Sequence, residues 1–248
     1  MAVHDFRSQR LYVDTALAAN RIHVCNKEQS NYLRNVLRLN VNDEIRVFNG
    51  VDGEWLSRLA TSGKRGCELI VVERTRAQAI GPDLSYLFAP LKRARLDYMV
   101  QKATEMGVAS LQPVQTERTI AGRVNGERMR SNVIEAAEQC GILRLPVVHE
   151  LSKLSAALAD WQSDRILFFA DEGADVSMPL SVFDGLERGR PAAVIVGPEG
   201  GFSEPERHRI RMLPQTRVVS LGPRIMRADT AAVALLALEN ATIGDWGA

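Results

Sequence analysis

Cysteine is scarce in this 248-residue chain: Cys25, Cys67 and Cys140 are odd in number and far apart, which argues against a disulfide framework and a cysteine-ligated zinc site. The four histidines, His4, His23, His149 and His208, fall at no spacing typical of a metal centre or of a nucleophile and base pair, so no metal is expected. No apolar run reaches the length of a membrane-crossing helix. The first ten residues are polar and charged where a secretory signal carries its apolar core. A cytoplasmic location without a membrane partner is expected. Net charge is only +1, so the whole-chain balance gives no support for nucleic-acid binding. Also missing are the G-x-x-x-x-G-K-[ST] and G-x-G-x-x-G patterns that cradle polyphosphates. Repeats and low-complexity segments are absent as well.

What is present is a globular composition, 46% apolar and 25% charged, sufficient for one large or two modest domains. Two glycine-rich turns stand out, Val196-Gly197-Pro198-Glu199-Gly200-Gly201-Phe202 and Leu221-Gly222-Pro223-Arg224-Ile225-Met226-Arg227. Each follows a short apolar run that reads as a buried strand, Ala192 to Val196 and Arg217 to Leu221, and each precedes a helical pattern. Two neighbouring strand-to-helix loops then face one edge of a sheet, where open α/β sheets bind ligands. Glu199 inside the first loop disfavours phosphate and suits a ligand with a positive centre or amine donors.

The first eighty residues read as β-rich. Leu11 to Val13, Arg21 to Val24, Glu44 to Phe48, Glu54 to Leu59 and Cys67 to Thr75 are short runs separated by turn residues, with a helix over Lys27 to Leu39 between them. Closure as a small barrel over residues 1–76 is expected, then a linker over 77–83 containing Gly81-Pro82. From 84 to 248, strand and helix alternate. Strands at Leu84 to Ala89, Leu111 to Gln115, Val147-Val148 and Arg165 to Ala170 interleave with helices over Lys92 to Met106, Glu127 to Cys140 and near Ser152 to Trp161. Ser203 with Glu206 forms a capping box that starts a helix directly after the first glycine turn. Thr230 to Ile243 is apolar nearly all round, and such a helix must be buried in the core or against a second subunit. The second part is therefore an α/β domain with a mainly parallel sheet. Basic residues dominate the first forty positions.

Taken in order, Lys92-Arg93, Gln101 to Val108, Thr116-Glu117-Arg118, Ala136 to Gly141 and the two glycine turns resemble the RsmE family of small-subunit ribosomal RNA methyltransferases, of the SPOUT class. The likeness runs from Arg10-Leu11-Tyr12-Val13 to the final helix. It implies a PUA-like β-barrel followed by an α/β domain with a carboxyl-terminal trefoil knot, used as a homodimer. It further implies S-adenosylmethionine as methyl donor and nitrogen 3 of a uridine in 16S ribosomal RNA as acceptor. The alternatives are another RNA site or a non-catalytic ribosome-binding factor.

Carried over by position, the cofactor residues are Phe169, Val196, Gly197, Glu199, Gly200, Gly201, Leu221, Gly222, Ile225 and Met226. Arg227 is the candidate to stabilise the uracil anion, and Glu199 or Asp229 the candidate proton acceptor. Arg227 also reads as a phosphate contact or subunit salt bridge, and Asp229 as a helix cap. Backbone grips on the RNA fall to Arg7, Arg10, Arg34, Arg38, Lys92, Arg93 and Arg118. The chain departs from the family pattern in three places. Arg227-Ala228-Asp229-Thr230 stands where Arg-Thr-Glu-Thr is common, Ile142 replaces an arginine, and the Val36-Leu37-Arg38 element lacks its usual histidine.

Overall fold

A computed structural model describes residues 8–63, 66–120, 122–175 and 178–247. The chain divides into two compact units, one running to Ile80 and including Ala137–Leu145, the other comprising Gly81–Ala136 and Pro146–Ala248. The first unit thus takes in a stretch, 137–145, that the sequence pattern had assigned to the α/β domain. Arg7 lies outside the described residues.

The first unit is built on five strands, β1 (Arg10–Tyr12), β2 (Ile22–Val24), β3 (Glu44–Phe48), β4 (Glu54–Gly63) and β5 (Gly66–Arg76), in the order β1-β3-β4-β5-β2. Only β1 and β3 run parallel. Period-two alternation sends Leu11, Ile45, Val47, Leu59, Leu69 and Val71 into a single core, where Leu33 joins them. The expected helix from Lys27 is shorter than its pattern. Asn26 and Gln29 form a reciprocal capping box for α1 (Lys27–Asn31). The chain then widens into a π-turn over Tyr32–Val36, and Arg38 at φ +55° ends it.

A buried carboxylate organises this unit. Glu54, 2% exposed, receives Arg10 Nε at 2.8 Å, Arg46 Nη1 at 3.1 Å and Arg76 Nη1 at 3.5 Å. Burial alone would push the Glu54 carboxyl up, but hydrogen bonding and charge from Arg10, with the charge of Arg76, outweigh it and hold it below the usual range. Arg10 also donates to the carbonyls of Ala137, Glu138 and Ile142, and Arg76 to that of Gly141 at 2.9 Å. These guanidinium groups satisfy carbonyls at the end of α3 (Gly126–Cys140), where the helix dipole is negative.

The second unit carries β6 (Leu84–Phe88), β7 (Ser110–Gln115), β8 (Val147–Val148), β9 (Ser152–Lys153), β10 (Ile166–Ala170), β11 (Ala192–Val196) and β12 (Thr216–Val219). The order is β12-β10-β11-β6-β7-β8, with β9 on β7 and every ladder parallel. All five residues of β11 are buried, which is why its sequence reads as a continuous apolar run. The helices are α2 (Arg93–Glu105), α3, α4 (Leu154–Ala157), α5 (Glu204–Arg211) and α6 (Ala228–Thr242). The helix expected near Ser152 to Trp161 shrinks to the single turn α4. Ser152 and Lys153 pair with β7 instead, and the Trp161 indole is tied to the Arg165 carbonyl at 3.2 Å. No described helix is long and apolar enough to cross a membrane.

Helix α6 packs against β11 and α2. Its buried face carries Ala231, Ala232, Leu235 and Leu236 and ends, against that pattern, in Glu239 and Asn240, 2% and 0% exposed. Among the described residues, Glu239 Oε2 and Asn240 Oδ1 have no hydrogen-bond partner. Burial, with the charge of Asp245, raises the Glu239 carboxyl to about 7.

Candidate active site

A cavity of about 320 Å³ opens at the carboxyl ends of β10, β11 and β12, bounded by residues 170–172, 196–201 and 219–226 and by Ala228 and Ala231 of α6. Parallel strands place all three following loops on one edge, and the two glycine turns form facing walls. The volume falls in the range of small-molecule sites. Val196, Gly197, Glu199, Gly200, Gly201, Leu221, Gly222, Ile225 and Met226 all line it.

The glycines do different jobs. At Gly197 a Cβ would sit 2.7 Å from Cε2 of Phe202, so the ring of Phe202 accounts for this glycine. Gly222 has φ +99°, a conformation that strains any other residue, and a Cβ there would meet nothing within 4 Å. Beside it, Ile225 is 92% exposed, an apolar side chain on the cavity lip.

Phe169 requires a correction. It is fully buried and packs edge-on against Phe202 at 5.3 Å between ring centres, beneath the first glycine turn and off the cavity wall. The next residues, Asp171 and Glu172, reach the cavity in its place. Asp171, whose side chain is fully buried, pairs with Arg207 and with Arg211 at 2.6 Å, and Arg207 also binds Glu172.

Among the three candidate catalytic groups, Glu199 is bound to Arg95 at 2.7 Å, with both side chains partly exposed. Asp229, the second residue of α6, accepts the Thr230 amide on Oδ1 at 2.9 Å. Arg227 occupies the N-cap of α6 without capping it through its side chain, so the cap position is not Asp229's. Among the described residues, the exposed side chains of Arg227 and Arg224 bind no partner. Tyr86 is not available as a base, because burial, with the charge of Asp229, holds its phenol far above the ordinary value and its hydroxyl donates to Met99 Sδ at 2.9 Å.

The proposed RNA grips separate. Arg34 and Arg38 are exposed in the first unit, Arg34 donating to the Gly63 carbonyl at 2.9 Å. Lys92 and Arg93 are exposed at the start of α2, and Arg118, also exposed, donates to the Gly200 carbonyl at 2.8 Å. Arg10 is the exception. It is 7% exposed and committed to Glu54 and to carbonyls, so its charge serves the fold of the first unit and offers no surface to RNA. Arg95, Asp171, Glu172, Arg207 and Arg224 were missed. Asp171-Glu172-Gly173 directly after the apolar run to Ala170 was a readable signal for a third loop on the same edge.

The profile of the RNA methyltransferase domain family matches residues 80–240, and that of the RNA methyltransferase PUA domain matches residues 25–72. A curated relative, ribosomal RNA small subunit methyltransferase E of Rickettsia conorii, is 30% identical over 92% of this chain and 93% of its own. The chain belongs to the RsmE family of RNA methyltransferases. A relative of the same name in Bacillus subtilis is 28% identical over 82% of this chain and 84% of its own. A solved RsmE from Neisseria gonorrhoeae, bound to S-adenosyl methionine, aligns with TM-score 0.86 at 26% identity, covering 96% of this chain and 99% of that one. A putative methyltransferase of Legionella pneumophila shares the fold, with TM-score 0.80 at 24% identity over 95% of this chain and 98% of that one. The RsmE architecture of a PUA-like unit followed by a parallel α/β unit is thus that of this chain.

Proposed function

We propose that this protein methylates nitrogen 3 of a uridine in 16S ribosomal RNA, with S-adenosylmethionine as donor. The observation that carries the reading is the cavity between the two glycine turns, in a chain of the RsmE family whose Neisseria relative is bound to that cofactor. The residues present fit the group. Backbone amides and carbonyls of 197–201 and 221–226 can hydrogen-bond an adenine edge, Leu221 and Met226 offer apolar faces for the ring, and the conformation of Gly222 keeps its wall open. When bound, S-adenosylmethionine supplies an electrophilic methyl group.

The chain supplies the rest. Nitrogen 3 of uracil must lose a proton as it becomes a nucleophile, and negative charge builds on the ring. Arg227, without a partner among the described residues, stabilises that charge from the amino end of α6. Asp229 takes the proton on Oδ2, the oxygen it leaves unbonded among the described residues. Glu199 is held by Arg95 and shapes the wall. Most of the rate then comes from holding the reacting partners in line. Because a structured RNA must surrender its uridine from the stack, Arg34, Arg38, Lys92, Arg93 and Arg118 are the backbone grips.

We infer a cytoplasmic homodimer, the half-buried Val233, Ala234, Ala237 and Leu238 of α6 and the exposed Ile225 facing the second copy. The carboxyl-terminal segment is knotted in this reading. Supporting it, the 3₁₀ turn Pro179–Phe183 between β10 and β11 touches both β12 and α6, and Arg188 donates to the carbonyls of Ala241 and Gly244.

The test is mass mapping of 16S RNA from cells lacking the protein, followed by restoration in vitro with labelled donor. One uridine should lose its methyl and regain it with the protein. An unchanged map would refute the reading.

A further inference from the structure

One closed circuit of hydrogen bonds touches the first glycine turn from outside the cavity. Glu206, 7% exposed, binds two backbone amides at once: Ser203 N on Oε2 at 3.0 Å, which completes the capping box of α5, and Glu117 N on Oε1 at 2.8 Å. Glu117 belongs to a turn that closes on itself, Thr116 N donating to Thr119 Oγ1 at 3.0 Å and Thr119 N to the Thr116 carbonyl at 3.2 Å. The next residue in that turn, Arg118, donates through Nη1 to the Gly200 carbonyl at 2.8 Å. Gly200 lies three residues before Ser203, so the path returns to its start.

A helix cap needs only the Ser203 half of this arrangement. The second buried oxygen of Glu206 reaches a segment 89 positions away in the chain, and that segment carries the side chain that grips the loop. Inside the loop, Gly201 N to the Pro198 carbonyl at 2.8 Å is a single local bond for a stretch with little intrinsic stiffness. An external tether removes loop freedom that a ligand would otherwise have to freeze out on binding.

We propose that Glu206 is a positioning residue for the cofactor, acting through the 116–119 turn and Arg118 to fix the Gly200 carbonyl and with it the loop 197–201. The role rests on reading the cavity as the S-adenosylmethionine site. It assigns Arg118 first to the loop, beyond any contact with RNA.

The experiment compares wild type, Glu206→Gln, Arg118→Ala and the double variant by calorimetric titration with S-adenosylmethionine and by amide hydrogen exchange of the ligand-free protein. Glutamine keeps the size of Glu206, but its amide nitrogen cannot accept from an N–H, so one of the two amides loses its partner. Each single variant is expected to raise Kd about tenfold, as for the loss of one hydrogen bond to a charged group, and the double variant no further than the worse single. Exchange at Gly201 should speed up alike in all three. Arg118→Lys, which keeps a donor, should recover part of the affinity.

Kd increases that multiply in the double variant, or Arg118→Ala binding like wild type, would overturn the tether. So would a Glu206→Gln effect confined to the start of α5. Because Arg118 is exposed, its variant keeps the test alive should Glu206→Gln unfold. Failure of wild type to bind the cofactor overturns the reading of the cavity and this role together, and the exchange data then show separately whether Glu206 and Arg118 hold the loop.

Discussion

Replacing Glu239 with glutamine should change how stability depends on pH. The carboxyl is buried near the end of α6, and its ordinary value of 4.5 rises to about 7 through burial and the charge of Asp245. Among the described residues no cation pairs with it: Arg188 donates to the carbonyls of Ala241 and Gly244, and the other unbonded oxygen here is Asn240 Oδ1, another acceptor. Both unbonded oxygens lie close to Gly244, 3.0 and 3.1 Å from where a Cβ would stand.

The folded chain therefore holds the proton more tightly than the unfolded one. Stability from this group is fully present below pH 4.5 and is lost as pH rises through about 7. The difference amounts to on the order of 3 kcal/mol, at about 1.4 kcal/mol per pH unit across the interval. Urea unfolding at fixed protein concentration, followed by circular dichroism from pH 4.5 to 8, provides the assay. Wild type minus Glu239→Gln should slope downward across that window, with the variant more stable at pH 8. A flat difference curve would refute the reasoning, as would one sloping upward.

Glu54→Gln leaves three arginines around a neutral amide, and unfolding of the first unit should become easier by about 3–5 kcal/mol in a thermal or urea melt. Arg10→Ala should likewise cost stability while leaving the salt dependence of RNA binding unchanged. Arg34→Ala combined with Arg38→Ala should weaken RNA binding and flatten the slope of log K against log salt by about two, with cofactor affinity unchanged in calorimetry. Gly222→Ala must hold an alanine at φ +99°, a strain of roughly 1–2 kcal/mol; S-adenosylmethionine affinity should fall about tenfold, and wild-type affinity in the variant would refute the assignment.

Elements whose signal is local were legible in the sequence. The five apolar residues of β11 announced a strand buried on both faces, and Ser203 with Glu206 announced the start of α5. Contacts between distant segments were not. Arg95 and Glu199 are 104 positions apart, and only the sheet order brings α2 beside the first glycine turn. Charge alone made Arg10 look like a surface grip, because nothing near it in sequence announces Glu54 or the carbonyls of 137–142. Phe169 failed for a different reason: β10 is buried on both faces, so the residue that reaches the ligand edge is decided by where the strand stops, at Ala170. The π-turn at Tyr32–Val36 likewise keeps the apolar spacing of an ordinary helix and leaves no separate mark.

The contact between Gly197 and Phe202 means that the floor of the pocket and the interior of the second unit are one piece of matter. Shaving the aromatic ring would leave a void under the loop, and the backbone above would sag into it. Enlarging the glycine would lift the same backbone off its support. At this spot, selection for a tight ligand and selection for a solid interior act on the same atoms, and neither residue is free to drift without the other.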